Sequence, residues 1–256
     1  MVHATGFCKE TLQPLVDELE TIAGDCGVVA VDGRGHGAST PHDGPFDWAS
    51  ASDDIAAVVG RAECPVVGIG HSWGGGMLAR VEALHPGSFT HLVLIEPIIL
   101  PPPYGARDIP LSVGAERRRR SFPDRDAAMA RFASGPFETW DGRALDAYID
   151  HAFVETADGW TLRCLPEVEA EVYRQGSNVD TWDRLDAVRC VVSLLAGETS
   201  TTHADPYLSL LAGRFPNASV RRLSGLGHLA PMEGPHAVAA VVHEELLTFG
   251  TLPTIG

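Results

Sequence analysis

The sequence predicts an α/β fold, with a mostly parallel sheet covered by helices and a helical cap inserted between two of its strands. Three observations predict it. Short β-branched runs alternate with longer helical stretches near both ends of the chain. From Pro97 to about Val188 that alternation stops: the segment opens on Pro101-Pro102-Pro103 and continues in Arg-, Asp- and Glu-rich pieces without a convincing buried strand. A glycine-bracketed turn, Gly70-His71-Ser72-Trp73-Gly74, lies directly between a predicted strand and a predicted helix.

The elements follow in order. Residues 28–31 (Val-Val-Ala-Val) read as a buried parallel strand, followed by the loop Asp32-Gly33-Arg34-Gly35-His36-Gly37. A helix is predicted over 48–61, a strand over 65–70, a helix over 73–84 ended by His85-Pro86-Gly87, and a strand over 92–95. Strands at 191–195 and 219–223 and a closing helix over 235–249 complete a core made of residues 1–96 and 189–256. Residues 97–188 form the cap. Within it, the run Arg117 to Arg120 reads as an anion clamp or as a solvated face paired with Glu116, Asp124 and Asp126; the solvated face is the preferred reading.

Bulk properties narrow the function. The chain has 256 residues, 45% hydrophobic and 21% charged, an ordinary globular balance that leaves disorder unexpected. A formal net charge of −15 repels phosphate backbones and anionic lipid headgroups, so nucleic-acid and membrane-surface roles lose ground to a small neutral or cationic substrate. Five scattered cysteines (Cys8, Cys26, Cys64, Cys164, Cys190) include no C-x-x-C pair and read as free thiols in a reducing cytoplasm. Eleven histidines show no H-E-x-x-H or comparable spacing, so no metal is expected.

The chemistry centres on two motifs. Gly70 to Gly74 fits G-x-S-x-G in the strand-to-helix context that a nucleophile elbow requires, with Ser72 held clear of the backbone. The N–H groups that open the Trp73 helix favour a developing negative charge at the same spot. Gly225-Leu226-Gly227-His228 follows the last strand, in the loop where a triad of chain order Ser, acid, His ends.

With these motifs the chain resembles the α/β-hydrolase family over nearly its full length. His3-Ala4-Thr5-Gly6-Phe7 stands at the family's oxyanion-loop position, and the Asp32 loop and Leu94-Ile95-Glu96-Pro97 also agree. The resemblance implies oxyanion N–H groups from Thr5 and Trp73, a structural Asp32 loop, and no cofactor. Most members carry an acid three residues after the position of Gly197; Ser200 stands there, with Glu198 and Asp205 displaced nearby. Other members place the acid at the end of the strand after the nucleophile helix. Glu96 holds that place, and the 24-residue separation from Ser72 suits a helix, a turn and a parallel strand. Glu96 is therefore the preferred acid, with Glu198 or Asp205 as alternatives.

In the family the oxyanion loop follows a strand and a hairpin. The chain begins at Met1-Val2-His3, so these are expected to be missing, two central ladders to be left unpaired, and further sequence to lie upstream; a rearranged sheet is the alternative. The expected function is a serine hydrolase cleaving an ester or lactone of a small to medium apolar molecule. A carbon–carbon bond hydrolase, or a binding protein without turnover, are the alternatives. Trp140, Tyr148, Phe153, Trp160, Tyr173 and Trp182 could roof an apolar pocket, although most are expected to form the cap's own core.

Overall fold

A computed structural model describes residues 1–24, 27–42, 44–135 and 137–250; Cys26 lies outside them. In chain order the elements are α1 (Gln13–Ala23), α2 (Trp48–Val59), β1 (Val67–His71), α3 (Trp73–Leu84), β2 (His91–Ile95), α4 (Pro110–Glu116), β3 (Ser121–Phe122), α5 (Arg125–Ala133), α6 (Gly142–His151), β4 (Phe153–Thr156), β5 (Gly159–Leu162), α7 (Pro166–Gln175), α8 (Thr181–Arg184), β6 (Val191–Gly197), α9 (Tyr207–Ala212), β7 (Ala218–Leu223), α10 (Ala230–Glu233) and α11 (Pro235–Thr248).

The main sheet is parallel, in the order β1-β2-β6-β7. Parallel strands are buried on both faces and so read as continuous apolar runs. His-Leu-Val-Leu-Ile of β2 is buried at all five positions. Helix α3 is buried from Trp73 to Ala83 and sits inside the molecule, its two charged residues, Arg80 and Glu82, held by Asp180 and by the Gly87 N–H. Helix α2 starts where Asp47 accepts the Ala49 and Ser50 N–H groups, at 3.1 and 2.9 Å.

The strand expected at 28–31 is the first correction. Only Val31 pairs, in an isolated parallel bridge to Val2, and Val29 is 67% exposed. A strand exists only along a neighbour that can bond to it, and the neighbouring segment here is Met1-Val2. Val2 also bridges to Gly70, donating to Ile69 O and accepting from His71 N, both at 3.0 Å. The ladders expected to stand wholly unpaired are thus linked at this one level. The Met1 amine donates to Val29 O at 2.6 Å, and burial lowers its pKa to about 6.

The second correction lies between β2 and β6. Alongside helices α4 to α8 stands a small antiparallel sheet of order β3-β5-β4, where a purely helical segment was expected. Its core is aromatic: Phe122, Phe132, Phe137, Trp140, Tyr148 and Phe153 pack together with Phe7 from the N-terminal loop. The arginine run does not meet its expected partners. Helix α7 packs on α4 and brings up its own acids, so Arg118 pairs with buried Glu169 and donates to Tyr148 Oη at 2.8 Å. Arg120 forks onto Glu167 at 2.8 Å, and Arg119 lies 4.7 Å over the Phe122 ring.

Candidate active site

The turn from β1 into α3 is too tight for side chains on either flank. A Cβ on Gly70 would stand 2.7 Å from the Gly75 backbone, and one on Gly74 would stand 2.6 Å from His3 O. Ser72 is held at φ 54°, a region that costs a non-glycine residue of order 1–3 kcal/mol. Glu96, at the end of β2, has φ 52°. Among the described residues these two are the non-glycine residues with positive φ, and they stand at neighbouring strand ends, since β1 and β2 pair in register from Val67↔His91 to His71↔Ile95.

His228 comes from the loop after β7. Its path is fixed by the end of β6, where a Cβ on Gly197 would collide with the Gly227 carbonyl, and by Gly227 N, which donates to Glu233. His71 Nε2 also donates to His228 O at 2.8 Å. So placed, the imidazole has Nε2 3.1 Å from Ser72 Oγ and Nδ1 2.8 Å from Glu96 Oε2. A carboxylate only accepts, so Nδ1 carries the hydrogen and Nε2 faces the hydroxyl with its lone pair.

Glu96 is fully buried, yet four groups donate to it. Gly197 N reaches Oε1 at 2.7 Å, while Ser200 Oγ, His203 Nδ1 and His228 Nδ1 converge on Oε2 at 2.7, 2.7 and 2.8 Å. Burial acts to raise the Glu96 pKa; the bonds from His203 and His228, the His203 charge and the Ser200 bond outweigh it and hold the carboxyl well below its usual range. Glu198 and Asp205 sit elsewhere. Glu198 accepts from Ser224 Oγ and Gly225 N, and Asp205 caps Ser209 and faces Arg222.

Trp73 N–H opens α3 and so has no intrahelical acceptor. Thr5 lies in the N-terminal loop, 6% exposed. Two buried histidines stitch that loop to the Asp32 loop. His36 Nε2 accepts Gly6 N–H at 3.0 Å and His3 Nε2 accepts Gly33 N–H at 3.0 Å, while their Nδ1 atoms donate to Arg34 O and Ala4 O. Acceptance requires neutral rings, and burial lowers both pKa values, that of His36 to about 3. Asp32 in turn accepts from Lys9 N and Ala38 N at 2.7 and 2.9 Å, which is a structural role.

Sequence reasoning did not find His203, Ser200 as a donor, or His36 as an anchor of the N-terminal loop. Nothing in Thr201-Thr202-His203-Ala204 distinguishes His203 from a surface histidine; only the fold carries it under β2. Glu96, His203 and His228 also bring donor atoms close enough together to hold a cation. Each of those atoms already has a hydrogen-bond partner, and hydrogen bonding accounts for the cluster.

Comparison with known proteins bears on the family and the fold. Residues 1–241 match the alpha/beta hydrolase family. An abhydrolase domain-containing protein of Alternaria alternata, ACTT2-1, is 28% identical over 214 residues, covering 70% of this chain and 81% of the relative. The type I acyl-CoA thioesterase mpaH of Penicillium brevicompactum is 29% identical over 195 residues, 70% of this chain but 44% of that longer protein. Among solved structures, the peroxisomal alpha-beta-hydrolase Lpx1 of Saccharomyces cerevisiae superposes with a TM-score of 0.84 at 19% identity, over 100% of this chain and 78% of the other. E-2-(acetamidomethylene)succinate hydrolase superposes with a TM-score of 0.79 at 20% identity, over 95% and 88%. A parallel sheet that turns through a glycine-bracketed serine into a buried helix, a histidine returned by the last loop, and a match over nearly the whole sequence lead to one assignment: the chain belongs to the α/β-hydrolase family.

Proposed function

We propose that this protein is a serine hydrolase that cleaves a carboxylic ester or lactone of a small to medium apolar molecule through an acyl-enzyme on Ser72. The observation that carries the reading is the unbroken relay Ser72 Oγ–His228 Nε2, 3.1 Å, and His228 Nδ1–Glu96 Oε2, 2.8 Å. His228 takes the Ser72 proton as Oγ adds to the substrate carbonyl, and Glu96 holds the tautomer and stabilises the imidazolium. The N–H groups of Thr5 and Trp73 receive the oxyanion; such a donor is worth about 10²–10³-fold in rate. The intermediate collapses as His228 returns the proton to the leaving oxygen. Water, deprotonated by the same ring, then adds to the acyl carbon and frees the acid and Ser72.

A second reading, an acyl thioester as substrate, is favoured by the likeness to the fungal thioesterase. The net charge of −15 weighs against an anionic acyl carrier and for a neutral ester. No described helix is long and apolar enough to cross a membrane, and Cys8, Cys64, Cys164 and Cys190 are free thiols. Labelling with a fluorophosphonate probe tests the nucleophile: the protein should label and Ser72→Ala should not. Turnover of p-nitrophenyl butyrate, a butyrolactone and butyryl-CoA, side by side, ranks the substrate classes. A folded protein that neither labels nor turns over any of the three is a binding protein with a hydrolase shell.

A further inference from the structure

Glu96 serves two histidines, and the relay described above uses only one. His203 is completely buried behind the carboxylate, with Nδ1 2.7 Å from Glu96 Oε2 and Nε2 2.9 Å from Pro97 O. Its ring lies nearly parallel to that of His228, 15° apart in plane and 6.4 Å between centroids. Both of its nitrogens therefore face oxygens. Pro97 O is a carbonyl and can only accept, so Nε2 carries a hydrogen. A bare Nδ1 would then set its lone pair against the carboxylate at hydrogen-bonding distance, an arrangement without a proton to hold it together.

That proton does not fit on Glu96. Oε1 accepts Gly197 N–H and Oε2 accepts Ser200 Oγ–H and His228 Nδ1–H, so a protonated carboxyl would turn good acceptors into poor ones. The balanced assignment places hydrogens on both nitrogens of His203 and leaves Glu96 ionised. Resting on the reading of His228 as general base, we infer that His203 is a buried imidazolium paired with Glu96. It acts as a positioning residue that fixes the carboxylate from behind and keeps His228 unprotonated to lower pH than Glu96 alone would allow.

The sign follows from the charges. Glu96 alone favours the His228 cation; a second cation on the far side of the same carboxylate opposes it. Two unit charges about 6 Å apart at an effective dielectric of about 20 shift a titration by about two pH units, less where water screens them. The other groups around the pair do not cancel this. The Tyr207 ring meets His203 edge-on at 5.3 Å while its hydroxyl donates to Ile99 O, and Ser200 is neutral. Arg222 donates to the His203 carbonyl at 2.9 Å and is faced by Asp205 at 3.5 Å. On the His228 side stand Ser72 and the His71 ring, 5.5 Å away, which burial keeps neutral with a pKa of about 3.

The test combines kinetics with spectroscopy on the full chain. For hydrolysis of a p-nitrophenyl ester, the acid limb of kcat/KM should move up by about one to two pH units in His203→Gln. At high pH kcat should fall more than KM rises, because glutamine cannot donate to Glu96 and Pro97 O from opposite ends. An unchanged limb, with only a loss of amplitude, makes His203 structural and overturns the inference. The second readout needs neither the variant nor turnover. In ¹⁵N-histidine-labelled wild-type protein near pH 8, both His203 ring nitrogens should be protonated, and one bare nitrogen overturns the assignment. If no ester is cleaved and the probe does not label Ser72, the hydrolase reading fails, while the nitrogen spectrum still decides the charge on His203.

Discussion

Replacing Glu96 by glutamine isolates the acid. The carboxylate has four donors around it, at 2.7 to 2.8 Å, and glutamine can satisfy only one side. With its oxygen toward His228, its amide presses on Gly197 N–H; flipped, the amide faces Ser200, His203 and His228 Nδ1–H together. The charge is lost in either orientation. Opposite unit charges 2.8 Å apart at an effective dielectric of about 20 attract by about 6 kcal/mol, and that attraction grows as His228 takes the serine proton. Converted at 1.36 kcal/mol per decade, about 10⁴-fold in kcat is the upper bound, and about 10³–10⁴-fold is the expected loss. Glu198→Gln and Asp205→Asn, whose carboxylates contact the Ser224-Gly225 turn and the start of α9, should stay within about threefold of wild type. The assay is kcat on a p-nitrophenyl ester at pH 7.5, with circular dichroism confirming that each variant is folded. A Glu96→Gln protein within tenfold of wild type, beside a collapsed Glu198 or Asp205 variant, would refute the argument.

Two further outcomes are expected. Gly74→Ala places a methyl group against the carbonyls of Val2 and His3, displacing the oxyanion loop by some tenths of an ångström; activity should drop at least about tenfold, and an unchanged kcat would show that the loop yields freely. His36 and His71 are buried with pKa values lowered by desolvation to about 3, against about 6.5 when unfolded, so below pH 6.5 the unfolded chain binds more protons and stability falls with pH. Each should cost about 2 kcal/mol between pH 6.5 and pH 5, continuing down toward pH 3; urea titrations at pH 7.5, 6 and 5 measure it, and a flat midpoint contradicts the burial argument.

How much of this was legible beforehand depends on the range of the forces involved. The elbow is local: Gly70, Ser72 and Gly74 define it within five residues, and the helix predicted over 73–84 coincides with α3. The strands at 92–95 and 191–195 announce themselves because burial on both faces demands Leu, Val and Ile, a run broken only by Ser193. The run at 28–31 carries the same composition but largely lacks a pairing partner, and propensity cannot supply one. The hairpin of β4 and β5 did leave a trace, Asp158-Gly159 between Val154 and Trp160, obscured by the charged helical pieces around it. Choosing among Glu96, Glu198 and Asp205 required topology, because register between β1 and β2 decides which carboxylate stands beside the serine. Ser200, where an acid was sought, proves to donate to Glu96, a role that spacing alone does not express.

Phe7 ties the N-terminal loop to the inserted segment. Its ring meets Phe137, Trp140 and Tyr148 edge-on at 5.2 to 5.7 Å, all three from the segment inserted between β2 and β6, and Thr5 lies two residues before it in the same tight turn. Ser72 is only 6% exposed, so the packing around it bears directly on the site. Any shift of the inserted segment would therefore reach the turn that carries Thr5, the proposed oxyanion donor. Trimming Phe7 to a smaller side chain would weaken that link and loosen the proposed oxyanion site.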